Sequence, residues 1–243
     1  FTNKAAGELK ERLMARLGPE GGEVTAGTFH AFCARILRRE AERLGFTAHF
    51  TIYDADDSRR LMKEIMKSHG IDEKTLPHKS ILSEISRAKD SLLTPEAFAA
   101  TVGSDPRRRK IAACYEWYQA RLKEANAMDF DDLLSRTVEL FSTCPDVLER
   151  YQKRYDYLMV DEYQDTNHAQ YRLVSMLAAR SGNLCVVGDD DQSIYKFRGA
   201  TIENILSFDR IFEACKVIKL EQNYRSTQSI LNAANAVIAH NLG

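Results

Sequence analysis

The sequence predicts an α/β fold in which a parallel sheet is interrupted by an all-helical insertion. Two observations carry this expectation. Short, almost wholly apolar runs alternate with helical patterns toward both ends of the chain, as in a parallel sheet buried on both faces. Between about Asp54 and Met128 only helical periodicities occur. The expected domains are therefore residues 1–53 together with 128–243, and an inserted helical subdomain over 54–127.

FTNKAA reads as the end of a strand that passes at once into a helix with Leu9, Leu13 and Leu17 on one face, stopped by Gly18-Pro19. A short strand is expected near Val24. From Thr28 the residues Phe29, Phe32, Cys33, Ile36, Leu37 and Leu44 keep helical spacing as far as Gly45. FTIYD is extended. Four helical signals follow: Leu61/Met62/Ile65/Met66, Ile81/Leu82/Ile85, a start at Thr94-Pro95-Glu96, and Ile111/Tyr115/Tyr118/Leu122. From Met128 strands return as YDYLMV, NLCVV and CKVIKL, separated by a helix through Tyr171, Val174 and Leu177 and another around Ile202 to Phe212. A last helix is expected from Ser226.

Hydrophobic residues make up 44% of the chain and charged residues 28%, ordinary for a globular protein. No apolar run is long enough to cross a bilayer, and no stretch reads as a signal peptide, so a cytoplasmic location without membrane contact is expected. The five cysteines lack CxxC spacing and read as reduced core residues rather than zinc ligands. With 34 basic and 35 acidic residues the net charge is −1, so any nucleic-acid partner must be held locally. Arg107-Arg108-Arg109-Lys110 follows Asp105-Pro106 at a helix start, where positive charge opposes the helix dipole. It reads as a solvated helix end, with an external anion as the alternative.

In LMVDEYQDTN an apolar run stops abruptly at Asp161 and Glu162. Asp165, Thr166 or Asn167 can cap a helix beginning near His168, but capping does not require the preceding acid pair. The chemical alternative places magnesium on Asp161 and a polarised water on Glu162, a phosphoryl-transfer arrangement. Three strands are expected to deliver polar groups at the same end, where ligands sit in open parallel sheets: Asp161-Glu162, GDDDQSIYKFRGA and EQNYRST. Gln192 is suited to sensing a terminal phosphate. Tyr195, Phe197 and Arg198 offer aromatic faces beside a cation, which single-stranded nucleic acid needs, although Tyr195 and Phe197 also fit the buried face of a strand. Tyr224 can stack on a base and Arg225 can reach a phosphate, or Arg225 can simply precede a helix capped by Ser226.

Taken in order, FTNKAA, GTFHA, MDFDDL, VDEYQDTN, VVGDDDQSIYKFRGA and LEQNYRST resemble the motif series of the UvrD/Rep/PcrA-type superfamily 1 DNA helicases, over essentially the whole chain. The resemblance implies a RecA-like ATPase domain of the P-loop NTPase type, truncated at its N-terminus and carrying a helical subdomain. It implies an ATP-driven enzyme of DNA repair or replication that moves 3′ to 5′ along single-stranded DNA and unwinds the duplex at single-strand/duplex junctions. Residue by residue, Asp161 would bind the magnesium of Mg-ATP and Glu162 activate the attacking water. Gln192 would contact the γ-phosphate and link it to the DNA site, Tyr224 stack on adenine, and Arg225 contact the γ-phosphate. Phe1, Thr2 and Asn3 resemble one DNA-contact segment, Thr28, Phe29 and His30 a second, and Tyr195, Phe197 and Arg198 a third. A histidine near a helix start is also commonly just packed. Phe197 stands where the family often has tryptophan, which retains an aromatic face. Asp129, Asp131 and Asp132 are read as helix-capping and domain-contact residues rather than metal ligands.

None of the twelve glycines belongs to a GxxxxGK(S/T) sequence. In the family that loop lies one βα unit before the segment resembling FTNKAA, and a second RecA-like domain of the same parent chain completes the ATP cleft. The 243-residue piece is therefore expected to be inactive alone. Two other readings stand beside the helicase: a magnesium-dependent nuclease or phosphatase built on Asp161, Glu162, Asp165 and Asp189 to Asp191, and a non-catalytic single-stranded DNA scaffold.

Overall fold

Two acids frame the middle of the chain, and each starts a helix. The computed structural model describes residues 3–189, 192, 204, 208 and 215–239. Strand β1 (Thr51–Tyr53) ends at Asp54, whose carboxylate accepts the Asp56 and Asp57 N–H groups and caps helix α3 (Ala55–Ser68). Strand β2 (Ala127–Asp129) lies parallel to β1, with Tyr53 opposite Asp129. Asp129 in turn caps α7 (Phe130–Thr143) in a reciprocal box with Asp132. Between the two strands the helices are α3, α4 (His78–Asp90), α5 (Pro95–Thr101) and α6 (Pro106–Glu124), in line with the helical periodicity read there. Thr94 and Asp105 cap α5 and α6, and proline at the first helical position presets φ in both.

Helix α1 (Asn3–Leu17) runs to Gly18 as the sequence suggests, and a 3-10 turn follows over Gly18–Gly22. The strand expected near Val24 is absent: Val24 is exposed, and a lone apolar residue in GGEVTAG has no neighbouring strand to bond with among the described residues. Thr28 caps α2 (Phe29–Glu40), which tightens to a 3-10 turn and stops at Gly45, whose φ of 71° is the left-handed conformation that suits glycine. After α7 come α8 (Pro145–Arg154), β3 (Leu158–Val160), α9 (His168–Ala178) and β4 (Leu184–Val186). Strands β3 and β4 are parallel, with Met159 opposite Cys185.

Among the described residues the strands form two separate two-stranded parallel sheets, β1–β2 and β3–β4, rather than the one parallel sheet expected, with two further departures. Met159 is 80% exposed and Cys185 is exposed, so this face of the β3–β4 pair is open rather than buried, because among the described residues no layer covers it. CKVIKL forms no strand: Val217, Ile218 and Leu220 are exposed, and an apolar run becomes a strand only where a neighbour completes its ladder. The last helix, α10, spans Gln228–Ile238 and begins after Thr227 rather than Ser226. The helix expected around Ile202 to Phe212 lies mostly outside the described residues. Among the described residues no helix is long and apolar enough to cross a membrane. The five cysteines are free; Cys33 and Cys114 are buried, but Cys185 is not a core residue.

Two clusters of apolar side chains form the core. One joins α2, α7, α8 and α9 around Leu37, Phe50, Leu140 and Phe141. The other joins α3, α4, α5 and α6 around Met62, Ile81, Tyr118 and Leu122. Where α4 packs on α7, Lys89 is buried with its Nζ 2.6 Å from Asp129 Oδ2 and 3.0 Å from Asp132 Oδ1. Tyr118 donates to the same Asp129 oxygen at 3.1 Å, and Gln119 donates to Asp132 at 3.1 Å. Burial disfavours the lysine's charge, yet the two carboxylates outweigh it and raise its pKa. Burial likewise works against Asp129, but Lys89 and the hydrogen bonds hold its carboxyl below the usual range. Asp129 and Asp132 thus serve as the capping and contact groups the sequence suggested.

Candidate active site

Strand β3 delivers Asp161 and Glu162 directly after Val160. Its end is pinned by backbone bonds, with Val187 N–H donating to Val160 O at 2.8 Å and Tyr163 N–H to Val187 O at 3.0 Å. The chain then bends at Glu162, whose φ of 52° and ψ of 43° are left-handed. For a residue bearing a Cβ this costs about 1 to 2 kcal/mol, and such strain concentrates at functional sites. The bend is supported locally: Glu162 N–H donates to Asp161 Oδ1 at 2.9 Å, and Tyr163–Asp165 closes a 3-10 turn. Both carboxylate residues are exposed.

Behind them sits Gln164, only 1% exposed. Its Nε2 donates to Glu162 Oε2 at 2.8 Å, and its Oε1 accepts the Asp189 N–H at 3.1 Å. Asp189 carries the connection onward, since Gln192 Nε2 donates to Asp189 Oδ2 at 2.7 Å. The structure therefore brings Asp161, Glu162 and Gln192 into one hydrogen-bonded cluster at the ends of β3 and β4. Asp165 lies beside it; burial, aided by the Glu162 charge, pushes its carboxyl above the usual range, and its Oδ1 is buried with no hydrogen-bond partner among the described residues.

Thr28, Phe29 and His30 form the first turn of α2, all half-buried. Thr28 Oγ1 accepts the Ala31 N–H at 3.2 Å, and Phe29 packs on the core around Leu37. His30 lies against Phe130, ring centroids 5.2 Å apart, and burial lowers its pKa although the Asp131 charge opposes this. GTFHA and MDFDDL are thereby neighbours. VDEYQDTN is joined to the end of α4: Asn167 caps α9, as suggested by sequence, and its Nδ2 donates to Asp90 Oδ1 at 2.6 Å.

Burial, with the Asp131 charge added, pushes the Asp90 carboxyl up to about 7. A raised folded-state pKa means that the folded protein holds an extra proton, so stability falls as pH rises from the ordinary carboxylate range through about 7. Asp90→Asn keeps an acceptor for Asn167 and is expected to stabilise the protein at about pH 8 by about 1 to 2 kcal/mol, below the full linkage value because the group is partly exposed. Urea unfolding at about pH 4 should show almost no gain. Equal gains at both pH values would contradict the protonation account.

Among the described residues, Tyr224 and Arg225 form no hydrogen bond or ion pair with this cluster. Tyr224 is 92% exposed, and the turn it shares with Arg225 is held by Asn223 Oδ1, which accepts the Arg225 and Ser226 N–H groups at 2.8 and 2.9 Å. Phe1, Thr2, Tyr195, Phe197 and Arg198 lie outside the described residues, as do Asp190 and Asp191; Asn3 begins α1. Sequence reasoning missed Gln164 and Asp90. Gln164 lies inside the motif stretch, yet only its burial and its two hydrogen bonds distinguish it. Two open depressions between α2 and α8, lined by Arg39, Tyr151 and Arg154 among others, share no residue with the cluster.

Among the described residues no three His, Cys, Asp or Glu side chains gather closely enough to hold a metal on their own. Magnesium does not need such a cage, since it keeps several waters and is held by one or two carboxylates plus substrate phosphates. An exposed Asp161 at a strand end, beside a second carboxylate, fits that mode.

The family model of the UvrD/REP helicase N-terminal domain matches residues 1–213. The chain is 49% identical over 241 residues to the ATP-dependent DNA helicase PcrA of Staphylococcus epidermidis, an alignment covering 99% of this chain and 33% of that protein. It is 48% identical over 241 residues to the protein of the same name from Staphylococcus aureus, with the same coverage. The chain thus spans about a third of the length of these curated relatives. With its motifs in order and its matched region running through the Asp161–Gln192 cluster, the chain belongs to the UvrD/REP helicase N-terminal domain family.

Proposed function

We propose that the chain is part of an ATP-dependent helicase or translocase that moves 3′ to 5′ on single-stranded DNA and unwinds duplex. The observation that carries this reading is the Asp161-Glu162 pair, with Glu162 on left-handed backbone and joined through Gln164 to Asp189 and Gln192. Asp161 would hold the magnesium of Mg-ATP, and Glu162 accepts the proton of the attacking water. When bound, the ion neutralises charge on the transferring phosphate. Gln192 senses the γ-phosphate, and its link to Asp189 ties it to the same cluster. Tyr224 stacks on adenine and Arg225 supplies a cation to the γ-phosphate, at the face where a second RecA-like domain of the parent chain docks.

In this reading residues 1–53 and 128–243 belong to a RecA-like domain and 54–127 to a helical subdomain; the two core clusters and the β1–β2 junction support the division. Single-stranded DNA is held by Phe1, Thr2 and Asn3, by Thr28, Phe29 and His30, and by Tyr195, Phe197 and Arg198, in a cytoplasmic enzyme. These groups stack on bases and reach phosphates rather than read base edges. Affinity for single strands of different sequence is therefore expected to agree within about twofold, and to fall about tenfold or more between about 50 and 200 mM salt. A fluorescence titration showing strong preference for one sequence would contradict this.

The direction of movement is tested on the full-length protein with duplexes bearing a 3′ or a 5′ single-stranded tail. ATP and magnesium should support unwinding of the 3′-tailed duplex, and equal unwinding of both would overturn the assignment. The 243-residue chain contains no GxxxxGK(S/T) loop, so alone it is expected to show no measurable turnover.

A further inference from the structure

Among the described residues, one side chain that joins Glu162 to Asp189 is Gln164. Gln164 is buried at 1% exposure in the 3-10 turn after β3, and its two amide arms do opposite things. The NH₂ arm donates to the Glu162 carboxylate at 2.8 Å, while the carbonyl arm accepts the Asp189 backbone N–H at 3.1 Å. The path continues from Asp189 Oδ2 to Gln192 Nε2 at 2.7 Å, with Gln192 N–H returning to Asp189 O at 3.1 Å. The turn itself is rigid: Thr166 N–H donates to Tyr163 O at 3.1 Å, and Asn204 Nδ2 donates to Thr166 O at 3.1 Å.

The chemistry of this position admits few side chains. A carboxylate would accept at the Asp189 N–H but face Glu162 with a like charge. A hydroxyl is too short to span both partners, and an apolar side chain would leave the Asp189 N–H without this acceptor. A carboxamide of this length offers both a donor to the carboxylate and an acceptor to the backbone. Being exposed, the Glu162 side chain is otherwise free to rotate, and the buried Gln164 Nε2 is a fixed donor that can hold its carboxylate in one orientation.

The geometry points to Gln164 as the positioning residue that aims the Glu162 carboxylate and fastens it to the Asp189–Gln192 loop, so that displacement of this loop is felt at the hydrolytic centre. The inference rests on the reading of Glu162 as the base for ATP hydrolysis. Gln164 touches neither nucleotide nor water and acts only through its two partners.

Two substitutions in the full-length protein separate the arms. Gln164→Glu keeps the acceptor for Asp189 and loses the donor to Glu162; Gln164→Met keeps the volume and loses both. Steady-state ATP hydrolysis is measured with and without oligo-dT, together with binding of a fluorescent ATP analogue and the thermal unfolding midpoint. Both variants are expected to lose about 10- to 100-fold in kcat, the range for removing a group that orients a functional side chain, with KM for ATP within about twofold. Both variants should also lose the fold stimulation by oligo-dT, because each breaks the path from Asp189 through Gln164 to Glu162. In the Glu162→Gln background Gln164→Met should cost nothing further, because there is no longer a base to aim.

Wild-type kcat in either variant, or a raised KM at unchanged kcat, would overturn the inference while leaving the helicase reading intact. Loss of nucleotide binding in both variants would assign Gln164 to folding and overturn it too. Full turnover in Glu162→Gln alone would remove the base itself, so that the functional reading fails and the positioning role falls with it.

Discussion

Glu162→Gln in the full-length protein is expected to lower DNA-stimulated ATP turnover about 10²- to 10⁴-fold, the range associated with loss of a positioned general base. The substitution keeps size and hydrogen-bonding length, so Gln164 Nε2 can still donate to the new amide oxygen. Asp161 is untouched. KM for ATP and affinity for single-stranded DNA should therefore stay within about twofold, separating proton abstraction from binding. Steady-state phosphate release checks this. A loss of less than about fivefold would move water activation to another group. Asp165 is the nearest alternative: burial has already raised its pKa, and its Oδ1 is buried without a partner among the described residues.

Lys89→Met is expected to be the most destabilising single change, about 3 to 5 kcal/mol, because it strands buried carboxylates without their cation. Lys89 is 2% exposed and lies within 3.0 Å of both Asp129 and Asp132. The same two acids cap α7, so the loss reaches the junction between α4 and α7. Deprived of Lys89, buried Asp129 would have a raised folded-state pKa, whose penalty is present above that pKa and vanishes as the group protonates on acidification. The deficit against wild type should thus shrink toward about pH 4. Lys89→Met combined with Asp129→Asn should recover part of the loss, since one uncompensated charge has then gone. Urea unfolding of Lys89→Met, Asp129→Asn and the double variant measures this, and strict additivity would contradict the buried-pair account.

The helices of this protein were legible because local chemistry decides them. Thr94, Asp105 and Asn167 each cap the helix that the sequence places after them, Asp129 caps α7 as its motif rather than any periodicity suggests, and proline presets the start of α5 and α6. The motif order located Asp161, Glu162 and Gln192, and the fold brings these three together. The strands were less legible. CKVIKL and the residues around Val24 have strand-like composition, but a parallel strand exists only by bonding to a neighbour that its own sequence does not encode. Burial misled for the same reason: Met159 and Cys185 are apolar, and nothing within their strands says whether a layer covers them.

Tertiary partners were the least visible. Lys89 sits in a helical pattern beside Asp90, where a lysine ordinarily faces water; only the packing of α4 on α7 buries it. Gln164 and Asp90 resemble ordinary polar residues until the turn after β3 and the end of α4 are placed against their partners. Both hold other groups in position, and such roles are defined by three-dimensional neighbours rather than by spacing along the chain.

The central claim is that the Asp161–Gln192 cluster hydrolyses ATP in response to single-stranded DNA. The most direct test is phosphate release by the full-length protein with ATP and magnesium, with and without oligo-dT. The account predicts slow turnover alone and strong stimulation by the single strand, with the oligonucleotide left intact. Turnover indifferent to DNA, or magnesium-dependent cleavage of the oligonucleotide in the absence of ATP, would contradict it.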